Sequence, residues 1–466
     1  MKLKIKPLDI PEDNPFRFDA LNRRESAEIL TQLISSLDEP SVIAIDAPWG
    51  HGKTTFVRML RQHIVNKGFQ TLYFNAWEND FVDDALSTLI GEIELGIKEL
   101  ELGKDEKSKI KKSVGKIKDL GSYLVKKSVP LLVSSATGGI VNSDAIAKLT
   151  ESIAREQIDN YEKAKSTFKS FKNTLKEFIE ILQKDNDKPV VFFIDELDRC
   201  RPTFAIEILE KAKHLFSVPG FVFVIAIDKE QIGHSIRSVY GQGMDVDGYL
   251  RRFIDFDYRL PEPNNLEYAK YLFERYEYTD YFNRREARDN TYAKDAIVDM
   301  FGELNKIFKF SLRVQEQCFS LLTITLRTST RKQEIHPHLL IFLLLLKFAN
   351  SDLYKRYVTD FVEVDEILKY LRELHGGGQL LSEHTGTLLE AYLIAGRNIN
   401  HEINTHKQRN ESIIQRQSVD ENTRDRSRRI LKIINDMQFS REHDIVRKLA
   451  KKIDISDRFL EEPPNE

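Results

Sequence analysis

The chain has 466 residues, 41% of them apolar and 31% charged, which is enough for more than one domain and at least one sizeable core. Its net charge of −3 excludes a protein that is basic throughout, so any nucleic-acid contact must rest on a local patch. Two cysteines, Cys200 and Cys318, are too few for a disulfide framework and predict a cytoplasmic protein in a reducing compartment.

The opening stretch "MKLKIKPLDIPEDNPF" is charged and punctuated by proline, without the apolar centre of a signal peptide. Five apolar runs then predict buried strands: 41–47, 71–76, 190–195, 221–228 and 253–260. Helical stretches such as "KTTFVRMLRQHIVNK" and "TFAIEILEKAKHLF" fall between them. Strand–helix–strand repetition of this kind predicts an α/β fold with a parallel, doubly wound sheet.

Residues 83–184 interrupt that rhythm and are expected to form a helical insertion, so the core comprises 1–82 and 185–262. The insertion is lysine-rich at 104–127 and carries a long amphipathic pattern over 150–184. Its apolar stretch from Val129 to Val141 is too short to cross about 30 Å of hydrocarbon, so no transmembrane segment is expected. Residues 263–375 predict a helical lid, "LHGGGQLL" (374–381) a flexible joint, and 376–466 a C-terminal helical region ending in a disordered tail. Within that region, the polar stretch 397–429 predicts a solvated helix or loop.

The stretch "DAPWGHGKTTFV" (46–57) follows the first strand and opens the first helix of the sheet. A phosphate-binding loop reads G-x-x-x-x-G-K-[ST], and Ala47 stands at its first glycine. Pro48, Trp49, Gly50, His51, Gly52, Lys53, Thr54 and Thr55 form the candidate ATP-binding loop. Gly50 and Gly52 let successive N–H groups face one anion, and the helix N-terminus adds partial positive charge. Lys53 would reach the β- and γ-phosphates and Thr54 would ligate Mg²⁺. Trp49 cannot act as a hinge and is expected to pack beside the loop or near the nucleotide.

"VVFFIDELDRCRP" ends a strand in Asp195, at the sheet edge where open α/β sheets bind ligands. Asp195 would hold the Mg²⁺ hydration shell, and Glu196 would orient or deprotonate the attacking water. Asp198 is a nearby carboxylate, and Arg199 and Arg201 are cations that could meet phosphate or a neighbouring subunit. Asp228 ends another strand and is either a sensor of the attacking water or a helix N-cap. Arg313 is either a γ-phosphate sensor or a surface charge.

With these residues in place the chain resembles the KAP family of P-loop NTPases. "APWGHGKT" matches that family's G-x-W-G-x-G-K loop from Trp49 onward. "YFNAWENDFVDDAL", "DELDRCRP" and "VIAIDKEQI" followed by "YLRRFIDFDYRLP" match its other motifs in order, over residues 18–262. The resemblance implies a sheet of order 5-1-4-3-2, a helical lid, ATP and Mg²⁺ as ligands, and in bacteria a link to phage exclusion. Ala47 departs from the family by a methyl group, which matters only if that residue needs a positive φ. Glu196 stands where the family often has Asp. Arg251 replaces an acidic residue while Arg252 keeps the family's cation, and either could serve as an arginine finger.

Other constellations are weaker. His336 and His338 lack acidic or cysteine partners for a metal. "HGGG" has no G-x-S-x-G nucleophile to serve. Cys200 has no nearby histidine and reads as a structural thiol. The lysines of 104–127 are a solvated face, or a patch for nucleic acid or a membrane surface. The expected function is an Mg²⁺-dependent ATPase switch, working as a homo-oligomer or with other proteins. The alternative is a nucleotide-gated scaffold that assembles with partners and turns over little.

Overall fold

Successive residues of a strand point to opposite faces, so a near-continuous apolar run can fill two cores at once. The computed structural model describes residues 1–82, 84–99, 104–127, 163, 165–183, 187–216, 218–284, 290–329, 335–397, 399–439 and 444–455. The apolar runs form β1 (Ser41–Asp46), β2 (Thr71–Asn75), β3 (Val190–Asp195), β4 (Phe221–Ile227) and β5 (Phe256–Arg259). Every pairing is parallel and the order is β2-β3-β4-β1-β5, which is the expected 5-1-4-3-2 sheet.

On one face Ile43, Ile45, Val191, Phe193, Val222 and Val224 meet α1 (Arg24–Ser35) and α2 (Lys53–Asn66). On the other, Val42, Leu72, Phe74, Phe192, Phe223 and Ile225 meet α6 (Pro202–Phe216), α7 (Lys229–Tyr240) and α8 (Val246–Leu250). That second core also takes in the described part of the insertion: α3 (Ala85–Glu99), α4 (Lys104–Lys127) and α5 (165–182). Ile93, Ile110, Ile117, Phe171 and Phe178 are buried in it.

In α4, Ile110, Val114 and Ile117 are buried while Lys109, Lys111, Lys112, Lys116 and Lys118 are exposed. That is the pattern of an amphipathic surface helix, and Lys118 pairs with Glu94 at 3.4 Å. The stretch from Val129 to Val141, and the expected long helix from 150 to 162, lie outside the described residues. No helix among the described residues is long and apolar enough to cross a membrane.

The fifth strand differs from its expectation. Only Phe256–Arg259 pairs, along β1 alone, and most of it is exposed. Its alternating Asp257 and Arg259 mark an edge strand, where charge discourages further pairing.

The chain divides into two compact units, Leu8–Pro261 and Met1–Pro7 with Glu262–Glu466. The second unit is helical, running from α9 (Asn265–Arg275), α10 (Tyr278–Asn283), α11 (Asn290–Phe308), α12 (Leu312–Arg327) and α13 (Pro337–Ala349) to α14 (Ser351–Val358) and α15 (Val364–Glu373). It ends with α16 (Gly377–Ser382), α17 (His384–Gly396), α18 (Asn400–Gln415), α19 (Glu421–Phe439) and α20 (Ile445–Ile453). Helix α13 is its centre, with every side chain from Leu339 to Leu346 buried.

The glycine run expected to be a flexible joint is a tight turn. A Cβ at Gly377 would lie 1.8 Å from the Leu371 carbonyl oxygen, so only glycine lets α15 and α16 approach this closely. The polar stretch after 397 forms α18 and α19, and Ile403, Ile430 and Ile434 bury one face of the pair.

His336 and His338 serve this core. His338 stacks on Tyr392 with ring centroids 5.7 Å apart and planes 10° apart, and its buried Nδ1 has no hydrogen-bond partner among the described residues. Burial, with His384 nearby, pushes its pKa from 6.5 down to about 4. The unfolded chain therefore takes up this proton first, between pH 6.5 and about 4, and stability falls across that window as pH drops. In calorimetric unfolding, His338→Phe is expected to lose less stability than the wild type between pH 7 and pH 5, by up to ~2 kcal/mol.

Candidate nucleotide-binding site

The loop between β1 and α2 curls at two left-handed glycines, Gly50 (φ 76°) and Gly52 (φ 82°). Ala47 takes no positive φ, so its methyl group imposes no backbone strain, and its N–H bonds the Ile227 carbonyl at 3.3 Å. Gly52 gives α2 no side-chain cap, which leaves the first-turn N–H groups available to an anion.

Lys53 is buried, and its Nζ donates to the Ala47 carbonyl at 2.6 Å. Nζ also lies 3.3 Å from Asp198 Oδ2, a pair whose side chains are only 9% and 1% exposed. Thr54 and Thr55 are half-buried on the first turn, and Pro48 is exposed. His51 places its Nδ1 3.3 Å from the Trp49 carbonyl.

The carboxyl ends of β2 and β3 carry the acidic half. Asp195 is buried. Its Oδ1 accepts from the Thr54 hydroxyl at 3.4 Å and the Glu196 N–H at 2.8 Å, and its Oδ2 accepts from the Tyr73 hydroxyl at 2.9 Å. Desolvation pushes the Asp195 pKa up to about 6, and the hydrogen bond from Tyr73 opposes this. Glu196 holds a left-handed backbone, φ 59°, which is uncommon for a residue with a side chain and concentrates at functional sites. Its Oε1 accepts from the Thr54 hydroxyl at 3.3 Å, its Oε2 accepts from Asn75 Nδ2 at 3.3 Å, and Arg199 Nη1 lies 2.5 Å from Oε1.

Asp198 is the junction of the two halves. Its Oδ2 accepts from Trp49 Nε1 at 2.7 Å and from the Asp228 N–H at 2.9 Å, besides facing Lys53. Asp228 Oδ1 accepts from the Glu230 and Gln231 N–H groups, which is the N-cap of α7. Its Oδ2 accepts from the Trp49 N–H at 3.0 Å. Trp49 thus packs beside the loop, 47% exposed, and its indole N–H is a further tie between the loop and the acidic segment after β3.

Three site residues had no role from sequence. Tyr73 and Asn75 lie two apart on β2, so both point to the face that meets Asp195 and Glu196. Two polar side chains at that spacing in an apolar strand were the available signal. Asn75 Oδ1 also accepts from the Trp77 and Glu78 N–H groups, and Trp77 lies under the Arg199 guanidinium, 5.7 Å away. The third is Arg23, only 3% exposed, whose Nη2 reaches the His51 carbonyl at 3.5 Å.

Other expected residues lie elsewhere. Arg201 is bound to Asp80 through its backbone N–H at 2.8 Å and its Nε at 3.0 Å. Cys200 is buried with its thiol toward the Glu196 carbonyl, and desolvation pushes its pKa well up. Arg251 and Arg252 are exposed, with no ion pair among the described residues; Arg251 lines a shallow cleft with Lys229 and Asp257. Arg313 is exposed in the first turn of α12, in the helical unit.

An alcohol and a carboxylate 3.4 Å apart form an all-oxygen donor pair. It suits Mg²⁺, which takes few protein ligands beside water and phosphate. Residues 23–301 match the KAP family P-loop domain. The chain is 22% identical over 312 residues to the phage T7 exclusion protein of Escherichia coli strain K12, covering 63% of this chain but 40% of that one. Among solved structures, the Aeropyrum pernix ORC2 protein (ADPNP–ADP complexes) aligns at 14% identity and a TM-score of 0.34, covering 92% of this chain and 95% of its own. The Aeropyrum pernix ORC1 protein in complex with DNA aligns at 11% identity and a TM-score of 0.29, covering 94% of each chain.

Proposed function

Since the chain belongs to the KAP family of P-loop NTPases, we propose that it binds ATP with Mg²⁺ at the β1–α2 loop and hydrolyses it to drive a conformational switch. One observation carries this reading. Two pairs of neighbours about 140 positions apart, Lys53–Thr54 and Asp195–Glu196, come together beside an uncapped helix N-terminus.

The N–H groups of Gly50 to Thr55 would cradle the β-phosphate, and Lys53 would turn from Ala47 and Asp198 to the phosphate oxygens. Thr54 and Asp195 would hold Mg²⁺, which neutralises the charge developing on the phosphates. Tyr73 fixes the Asp195 carboxylate, and Glu196 accepts the proton of the attacking water. Exposed Arg251 and Arg252 suit contact with a second subunit or another protein of the same system. The likeness to a phage exclusion protein supports a role in antiphage defence.

A second reading, a nucleotide-gated scaffold with little turnover, draws on a specific feature: both Glu196 oxygens are engaged by protein groups.

Both tryptophans of the chain, Trp49 and Trp77, line the site, so intrinsic fluorescence reports nucleotide binding. Titration of the wild type with Mg²⁺-ATP is expected to saturate, and Lys53→Ala to weaken binding roughly 10- to 100-fold, the worth of charge-assisted bonds. Equal affinity of the two proteins for ATP would remove the loop from the account.

A further inference from the structure

Arg199 leaves the acidic loop after β3 and turns back into the site. Its Nη1 is 2.5 Å from Glu196 Oε1, the same oxygen that accepts the Thr54 hydroxyl at 3.3 Å. Asn75 takes the other oxygen. Both oxygens of the carboxylate are thus engaged by protein groups, one of them in an ion pair.

The guanidinium is not locked in place. It remains 27% exposed, its central carbon lies over the Trp77 ring, and Thr54 and Arg199 share one acceptor atom. The guanidinium therefore sits on the same carboxylate oxygen as the hydroxyl that would hold the metal of a terminal phosphate. A phosphate group carries more charge than a carboxylate and offers several oxygens to the guanidinium fork.

We infer that Arg199 is a positioning residue that exchanges partners, holding Glu196 idle until a γ-phosphate draws the guanidinium away. Trp77 is the platform on which the side chain turns. ADP lacks the competing group, so with ADP bound Arg199 stays on Glu196. This rests on the ATP-binding reading above and adds the means by which the site tells ATP from ADP.

The test is calorimetric titration of the full chain, in Mg²⁺, with ADP and with the non-hydrolysable β,γ-imido analogue of ATP. Arg199→Gln is expected to weaken the analogue by about tenfold, the worth of one charge-assisted bond, and to leave ADP unchanged; the unchanged ADP affinity also shows the variant is folded. Arg199→Lys restores part of the difference. In the wild type the analogue shifts tryptophan emission beyond the change that ADP causes, and Arg199→Gln abolishes that difference. Equal weakening of both nucleotides, or of neither, overturns the inference. If the wild type binds neither nucleotide, the ATP reading itself fails.

Discussion

Glu196→Gln is expected to bind Mg²⁺-ATP about as tightly as the wild type and to turn it over at least ~100-fold more slowly, the usual contribution of a general base. Glutamine keeps the length of the side chain and can still meet Asn75 and Thr54, which bond the glutamate at 3.3 Å each. It also keeps the left-handed backbone at φ 59° no more strained than before. What it loses is the proton acceptor and the charge that faces Arg199. Phosphate release under saturating ATP, with binding measured separately, isolates the chemical step from affinity. Turnover equal to the wild type would place the base elsewhere and favour Glu196 as a structural residue.

A second variant tests the junction. Asp198→Asn removes the counter-charge of Lys53 in a pair that is 1% and 9% exposed, while leaving an oxygen for Trp49 Nε1. Breaking a buried pair by neutralising one partner costs about 3–5 kcal/mol, because the other charge stays desolvated. The nucleotide-free variant is therefore expected to unfold at lower urea by that amount. ATP brings its own negative charge to Lys53, so saturating ATP is expected to close most of the gap with the wild type. A loss of stability that is the same with and without ATP would show that Asp198 matters for Trp49 and Asp228 rather than for Lys53.

The sheet was legible because each run of β-branched and aromatic residues has the length of a doubly covered strand. Phe256–Arg259 was the exception, since Asp257 and Arg259 alternate with aromatics and belong on an open edge. The glycine run at 376–378 looked flexible because composition alone does not reveal a carbonyl 1.8 Å from where a Cβ would be.

Within the site, the placement of Lys53, Thr54, Asp195 and Glu196 was readable because it follows from a strand, a turn and a helix. Asp198 was not, because its role depends on which strands are neighbours. Trp49 and Asp198 are 149 positions apart and meet only because β3, β4 and β1 lie side by side. Asp228 was open between capping and sensing; it caps α7 with one oxygen and holds the Trp49 N–H with the other. Asn75 and Trp77 were visible as part of "FNAW", but only the fold brings that stretch against Glu196 and Arg199.

The central claim is that this loop and this acidic strand together hydrolyse ATP. Steady-state phosphate release by the purified chain, wild type beside Lys53→Ala, each with Mg²⁺ and with EDTA, tests it most directly. Turnover is expected in the wild type with Mg²⁺, falling to background in EDTA and in Lys53→Ala. Phosphate release that is unchanged in Lys53→Ala, or absent from the wild type while ATP is bound, would contradict it.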